Sequence, residues 1–197
     1  MRPSRPAERD SVVSKRRQDL RQELAKIIHS GDHFVWEVGS GHGHFLTAFA
    51  KGNPDDTCIG IDITSDRIVR ADRKRERARL ENLRFVRADA DDFLAVMPET
   101  ARFISIFILF PDPWPKRRHH KNRVVKAEFL TAAAAKAVKG APLYFRTDHE
   151  PYFRAVCDLV AMHADWAEGT VDSWPFEEPT VFQKRAERHF SLVATRR

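Results

Sequence analysis

Short apolar segments alternate with helical segments along most of the chain, and this alternation limits the possible folds more than any other feature. Strands that alternate with helices at this spacing form a parallel sheet with helices on both faces. We therefore expect an α/β fold with a doubly wound, mainly parallel, Rossmann-like sheet. The predicted strands are 34–38, 57–62, 83–88, 103–110, 142–146 and 190–194, and the predicted helices are 14–29, 45–50, 65–80, 124–138 and 150–164.

The first thirty residues differ from the rest because they are basic and precede the first predicted strand. Pro3 and Pro6 lie among arginines, so we expect the first dozen residues to be loose. The helix that follows has Leu20 and Leu24 on one face. We expect a basic lead-in with a helix over residues 1–30 and a single catalytic domain over residues 31–197, since 197 residues suit one domain.

The composition excludes several classes of protein. A hydrophobic fraction of 42% with 14 Phe argues against disorder. No apolar run approaches the roughly 20 residues that a membrane span requires, so we expect no membrane partner. Two cysteines far apart fit a reducing, cytoplasmic setting. The His and Cys residues lack the spacings of zinc sites, so we expect no metal.

A glycine-rich turn follows the first predicted strand, and an acid lies inside that strand. Glu37 precedes Gly39, Gly41 and Gly43, and glycines let a ligand come close to the backbone. The spacing does not match the G-x-G-x-x-G of a dinucleotide-binding loop. A carboxylate here would repel phosphate and would favour a cation, such as an ammonium or sulfonium group. The turn therefore favours a cationic ligand.

Acids also follow the next predicted strands, at the sheet edge where open parallel sheets bind ligands. Asp62 ends the second strand, where an acid can accept hydrogen bonds from both hydroxyls of a ribose. Asp89 and Ala90 follow the third strand, where they could hold an adenine amino group. Together with Glu37, these residues favour S-adenosylmethionine over NAD as the cofactor.

The fourth predicted strand runs into a segment with three prolines and many basic residues. Asp112 lies between two prolines and is the only acid between Phe110 and Lys126. A second basic segment is the predicted helix 65–80. Phosphate backbones bind basic surfaces, and aromatic residues such as Trp114 stack on bases, so RNA is the favoured partner. The alternative is a solvated helix face with an Asp66–Arg70 pair four residues apart.

The segment Phe110 to Lys121 resembles the signature of the tRNA (guanine-N(7)-)-methyltransferase family. This resemblance implies a class I, S-adenosylmethionine-dependent enzyme that methylates N7 of a guanine in tRNA, at position 46 in the variable loop. It covers roughly residues 34 to 185. The other segments that carry it are 37–41, 60–62, 88–90, 145–148 and 180–183.

The resemblance also implies roles for individual residues, with Asp112 as the catalytic residue. We add Arg117 as a phosphate contact beside Lys116. The expected cofactor contacts are Glu37, Gly39, Gly41, Asp62, Asp89, Ala90 and Asp112. The expected substrate contacts are Lys116, Arg117, Asp148, Thr180 and Gln183.

The sequence departs from the family pattern at a few positions. Gln183 stands where the family has Glu, and Asn122 stands where it has Arg or Lys. These differences leave two alternatives open. One is a methyltransferase of the same fold that acts on a different RNA, a small molecule or a protein. The other is a non-catalytic RNA-binding relative. The sequence leaves a monomer and a homodimer equally open.

Overall fold

A seven-stranded sheet forms the centre of the protein. The structure is a computed structural model that describes residues 6–169, 174–176 and 188–197, with side chains from residue 11 onward. The strands are β1 (His33–Val38), β2 (Cys58–Asp62), β3 (Leu83–Arg87), β4 (Arg102–Leu109), β5 (Pro142–Thr147), β6 (Trp166–Glu168) and β7 (Phe190–Arg196).

Six α-helices and one 3-10 helix lie in the described residues. They are α1 (Pro6–Leu24), α2 (His44–Gly52), α3 (Ser65–Ala78), α4 (Ala90–Val96), the 3-10 helix (Arg117–Asn122), α5 (Ala127–Lys136) and α6 (Glu150–Met162). None of these helices has both the length and the apolar character that crossing a bilayer would demand.

The strand order is β3-β2-β1-β4-β5-β7-β6. Strands β1 to β5 pair in parallel, and β7 pairs antiparallel with both β5 and β6. The chain moves outward in one direction from β1 to β3 and then returns to the other side of β1 with β4. Ligands bind at such a switch point, outside the carboxyl ends of the strands. The predicted doubly wound, mainly parallel sheet is confirmed.

Both faces of the sheet are covered by helices. Alternate residues of a strand point to opposite faces, so Trp36 of β1 joins one core cluster and Val35 joins the other. In the larger cluster, Trp36 stacks on Phe93 and Phe103, with ring centroids 5.1 and 4.7 Å away. Helices α1, α4, α5 and α6 contribute to this cluster, whereas α2 and α3 contribute to the smaller one.

Helix α1 differs from the expectation at both ends. It begins at Pro6 instead of after a loose dozen residues, and it ends at Leu24 instead of His29. Its apolar face packs into the larger core, and Arg16 and Arg17 both pair with the buried carboxylate of Asp92 on α4. Contacts with α4 and the core therefore hold the part of α1 that contains Arg16, Arg17 and Leu20.

Besides the 3-10 helix, two short elements were not predicted. Helix α4 has seven residues and β6 has three. Elements of this length contain too few residues to show a periodic pattern. The prolines after β4 were predicted to interrupt regular structure. The structure agrees, because the next helical element, the 3-10 helix, begins only at Arg117.

Candidate functional site

A pocket of about 660 Å³ lies at the carboxyl edge of the sheet, over the switch point between β1 and β4. The ends of β1, β2, β3 and β4 all contribute to its lining. Every residue predicted to contact the cofactor lies on this pocket. These residues are Glu37, Gly39, Gly41, Asp62, Asp89, Ala90 and Asp112.

The turn after β1 has a left-handed backbone at each glycine. Gly39, Gly41 and Gly43 have φ of 77°, 55° and 67°. The backbone N–H of Gly39 donates to the carbonyl of Ile61 on β2 over 2.9 Å. Gly43 caps α2, and a Cβ there would lie 2.5 Å from the ring of Phe85 on β3. The turn therefore needs glycine for its backbone, and at Gly43 also for close packing.

Glu37 is buried beneath this turn, with 3% of its surface exposed. The carboxyl oxygen Oε2 has no hydrogen-bond partner in the described residues, and the backbone N–H of Leu46 offsets the effect of burial on the pKa of this group only in part. Burial, together with the nearby charge of Asp62, raises the pKa of Glu37 to about 8. A buried acid with one unpartnered oxygen favours a ligand that carries positive charge or hydrogen-bond donors.

Asp62 is held in place at the end of β2. Its Oδ2 accepts from the backbone N–H of Gly41 over 3.1 Å, and its Oδ1 accepts from that of Thr64 over 2.8 Å. Nη1 of Arg67 lies 3.4 Å from Oδ2. These contacts orient a carboxylate that borders the pocket and lies near Glu37.

Ile63 and Arg67 also line the pocket, and they were not predicted. Ile63 directly follows Asp62, and 65% of its surface is exposed. The sequence does contain a signal for Ile63, namely a large apolar side chain directly after an acid at the end of a strand. Arg67 lies in the first turn of α3, and its position depends on how that helix packs against the sheet.

Asp89 has a structural contact as well as a place on the pocket. It caps α4, since its Oδ1 accepts from the backbone N–H of Asp91 over 2.9 Å. Asp91 in turn pairs with Lys126 over 2.8 Å. Lys126 lies just before α5 and lines the pocket, so this pair joins two sides of the rim.

The loop that carries Asp112 has an unusual backbone. Phe110 and Trp114, on either side of Asp112, have φ of 51° and 44°, a conformation that costs residues other than glycine about 1 kcal/mol or more. The backbone N–H of Phe110 donates to the carbonyl of Arg146 on β5 over 2.8 Å. The exposed carboxylate of Asp112 thus reaches the pocket from a loop fixed at one end by the sheet.

Arg123 fixes the other side of this loop. Only 7% of its surface is exposed, and its Nε donates to the carbonyl of Pro113 over 2.8 Å. Its guanidinium lies 4.5 Å from the ring centroid of Tyr152 on α6. The hydroxyl of Tyr152 accepts from the backbone N–H of Val125 over 3.0 Å. Arg123 was not predicted, because its partners are distant in sequence.

The three predicted substrate residues that the structure describes lie outside the pocket lining. Lys116 and Arg117 are exposed at the start of the 3-10 helix, and Asp148 is exposed directly after β5, at the same edge of the sheet. Thr180 and Gln183 lie outside the described residues. In the part of the chain that the structure describes, no group of three His, Cys, Asp or Glu residues is arranged to hold a metal.

The arrangement suits one kind of ligand. A cationic group would meet Glu37, a diol would meet Asp62, and a heterocycle would lie between Ile63 and the Asp89–Ala90 segment. Asp112 lines the same pocket from the loop after β4, shortly before the basic 3-10 helix. A substrate can therefore approach the cationic ligand from the side of Asp112.

Two solved structures have the same fold. One is the 16S rRNA (adenine(1408)-N(1))-methyltransferase W203A mutant from Catenulisporales acidiphilia, with a TM-score of 0.61, 19% identity, and coverage of 89% of this chain and 91% of that one. The other is the aminoglycoside resistance methyltransferase NpmB1, with a TM-score of 0.57, 20% identity, and coverage of 92% and 93%.

A family model described as "Putative methyltransferase" matches residues 32–192. The tRNA (guanine-N(7)-)-methyltransferase of Streptomyces coelicolor is 34% identical over 78% of this chain and 56% of its own length. That of Hyphomonas neptunium is 35% identical over 77% of this chain and 70% of its own length. The chain thus spans little more than half of the first relative and about two thirds of the second. The chain belongs to the tRNA (guanine-N(7)-)-methyltransferase family.

Proposed function

We propose that this protein transfers a methyl group from S-adenosylmethionine to N7 of a guanine in tRNA. The observation that carries the proposal is the pocket over the switch point, a cavity of about 660 Å³ whose lining includes Glu37, Asp62 and Asp112. Family membership supports the reaction, since the relatives bear the name of this activity.

The chemistry of the lining supports the cofactor. Glu37 would hold the ammonium group of the methionine part, because its Oε2 is buried without a partner in the described residues. Asp62 would accept from the ribose hydroxyls, and Ile63 with Asp89 and Ala90 would hold the adenine. Gly39 and Gly41 would let the ligand approach the backbone. When bound, the cofactor supplies an electrophilic methyl group on a sulfonium.

The protein's own residues position the substrate. Guanine N7 already has a lone pair, so the residues need not remove a proton before methylation. Asp112 would accept hydrogen bonds from N1 and N2 of the guanine and stabilise the positive charge that develops on the base. Asp148 would share this role. Lys116 and Arg117 would contact phosphate, and Thr180 and Gln183 would complete the substrate contacts.

We further propose the finer assignments that the resemblance implies. The methylated nucleotide is guanine 46 of the variable loop, residues 31–197 form the catalytic domain, and the enzyme works in the cytoplasm. The exposed basic 3-10 helix supports a tRNA substrate, because it lies beside the pocket rather than at a remote surface. Mapping the modified position in the product tests the first assignment.

The test of the function is methyl transfer from labelled S-adenosylmethionine to unmodified bulk tRNA, followed by nucleoside analysis. We expect 7-methylguanosine. Absence of product, with S-adenosylmethionine still bound, would contradict the tRNA substrate and favour another substrate of the same fold. Failure to bind S-adenosylmethionine would contradict the enzyme assignment and favour a non-catalytic relative.

The variant Asp112→Asn tests the catalytic assignment. It keeps the shape of the side chain but removes the charge that would stabilise the methylated guanine. We expect turnover to fall by about 100-fold or more, with the affinity for S-adenosylmethionine much less changed. The variant Asp158→Asn, at an exposed position on α6, is the matched control and should keep full activity. Full activity of Asp112→Asn would refute the role.

A further inference from the structure

A row of exposed arginines runs along α3, away from the pocket. Positions 70, 73 and 77 have the spacing that places side chains on one stripe of a helix. At a rise of about 1.5 Å per residue, this stripe extends roughly 10 Å. Arg67, one turn before Arg70, lines the pocket, so the stripe begins at the pocket rim.

The other cations of α3 have partners, whereas the structure shows no ion pair between the stripe and any residue that it describes. Arg67 pairs with Asp62, Lys74 donates to the carbonyl of His42, and Arg75 pairs with both Asp72 and Glu76. Arg70, Arg73 and Arg77 are exposed, and none of them forms an ion pair with a residue that the structure describes. The Asp66–Arg70 pair, on which the alternative of a solvated helix face relied, is not among the ion pairs of the described residues.

The charge of the stripe acts on its neighbours. Burial lowers the pKa of Lys74 to about 8, with a further contribution from Arg77. Burial also lowers the pKa of His42, and Arg70, Arg67 and Lys74 lower it further. His42 lies in the turn after β1 and lines the pocket. The positive field of α3 therefore reaches the cofactor side of the pocket.

We propose that Arg70, Arg73 and Arg77 bind backbone phosphates of the substrate RNA, beyond the nucleotide that is methylated. This inference rests on the proposed function, since it extends the RNA contact from the basic 3-10 helix to the cofactor side of the pocket. Unneutralised arginines on a rigid helix suit phosphate, because the guanidinium matches its geometry. A nucleic acid strand presents several phosphates over 10 Å, so one stripe can engage more than one.

RNA fits this surface better than an anionic membrane. The stripe leads out of a pocket that would hold a nucleotide, and a strand that leaves the pocket would pass along it. Val69 is the exposed apolar side chain on α3 itself, and a single apolar residue gives little area to bury in a bilayer.

The test compares two triple variants of equal charge. Arg70→Gln/Arg73→Gln/Arg77→Gln removes the stripe, and Gln keeps a good helix propensity. Lys26→Gln/Lys51→Gln/Lys139→Gln removes three exposed charges at the opposite edge of the sheet, before β1, at the end of α2 and before β5. Both are compared with the wild type for tRNA binding across salt concentrations, S-adenosylmethionine affinity, kcat and KM for tRNA, and thermal midpoint.

We expect the stripe variant to raise the KM and the Kd for tRNA by about tenfold or more and to reduce the salt slope of log K by about 2. Its kcat, its S-adenosylmethionine affinity and its thermal midpoint should stay close to those of the wild type. The control variant should keep the wild-type salt slope. An unchanged slope and Kd in the stripe variant, or an equal loss in the control variant, would overturn the proposal.

Two further outcomes separate this inference from the proposed function. Wild-type protein that binds tRNA through the stripe but makes no 7-methylguanosine would contradict the function and support the inference. A stripe variant that loses binding to phosphatidylserine vesicles while it keeps tRNA affinity would overturn the inference in favour of a membrane. If the triple variant is less stable, the three single variants give the same comparison, each with a slope change of about 0.7–0.9.

Discussion

The Glu37 carboxyl group is buried and lines the pocket. Its burial makes the free energy of unfolding depend on pH. Its pKa of about 8 lies above its ordinary value of 4.5, so the folded protein holds a proton that the unfolded chain releases between these values. The contribution of this group to the free energy of unfolding therefore falls as pH rises from about 4.5 to about 8. The slope is at most about 1.4 kcal/mol per pH unit for one proton.

We predict that Glu37→Gln flattens this part of the stability profile, because an amide does not titrate. The measurement is urea unfolding of the ligand-free protein at several pH values between 5 and 8. The exposed Glu168→Gln variant is the control and should leave the profile unchanged. Parallel profiles for wild type and Glu37→Gln would show that Glu37 is already ionised in the free protein.

The raised pKa of Glu37 also leads us to predict that a proton is released when the cofactor binds. An ammonium group beside Glu37 would favour the carboxylate, so binding below pH 8 should expel close to one proton. Calorimetric titration at pH 7 in two buffers of different ionisation enthalpy measures this number. Glu37→Gln should release none and bind more weakly. Equal heats in both buffers for the wild type would contradict the proton exchange.

Arg123 holds the loop that carries Asp112, although no sequence motif indicated this role. Replacing it with Met removes the hydrogen bond to the Pro113 carbonyl and the stacking on Tyr152. Because a misplacement of about 1 Å can reduce catalysis by about 100-fold, we predict a kcat about 10- to 100-fold lower. S-adenosylmethionine affinity should change little, and Arg123→Lys should recover part of the rate. Arg154→Met, on an exposed face of α6, is the control.

At the scale of elements, the junction between the turn and α2 depends on Gly43. A methyl group at this position would meet Phe85 at 2.5 Å and Ala71 at 2.8 Å, and its backbone is left-handed. Gly140 has a similar φ of 83° but nothing within 4 Å. We predict that Gly43→Ala lowers the free energy of unfolding by about 2–4 kcal/mol and Gly140→Ala by about 1 kcal/mol, measured by urea unfolding. Equal losses would show that packing against Phe85 contributes nothing.

The elements also show how far the sequence could predict this structure. Strands β1 to β5 and helices α2, α3, α5 and α6 were predictable, because each is long or apolar enough to carry a pattern. Helix α4 was not, since it has seven residues and depends on the Asp89 cap. Strand β6 was not, since its three residues form a strand by pairing with β7. The start of α1 was missed because Pro6 was interpreted as a sign of loose chain, although proline is also common in the first turn of a helix.

The candidate site shows the same limit. Acids at the ends of strands were predictable, because parallel strands bring their carboxyl ends to one edge. Asp62, Asp89 and Asp112 therefore meet at the pocket as expected. Arg67 and Lys126 were not predictable, since each reaches the rim from a helix whose docking is set by tertiary contacts. Sequence patterns predict which edge of the sheet carries the pocket, but not which basic side chains line its rim.

At the scale of the whole molecule, the basic N-terminal segment belongs to the same packed structure as the sheet. Leu20, Leu24 and Ile28 are buried in the larger core, together with residues of β1, α4 and α6. The arginines of α1 hold the buried Asp92, which without them would be an uncompensated charge. These contacts imply that α1 and the sheet unfold together, although residues 1–30 were expected to be a lead-in that precedes the single domain of residues 31–197.

We therefore predict that Leu24→Ala lowers the stability of the whole protein by about 2–4 kcal/mol, because Leu24 is fully buried. Val12→Ala, on the same helix but with Val12 67% exposed, should change it by less than about 0.5 kcal/mol. Urea unfolding of both variants should give one transition, with tryptophan fluorescence and far-ultraviolet circular dichroism coinciding. Helical signal lost before the fluorescence of the core tryptophans would mean that α1 detaches first, and the two regions would then be separate cooperative units.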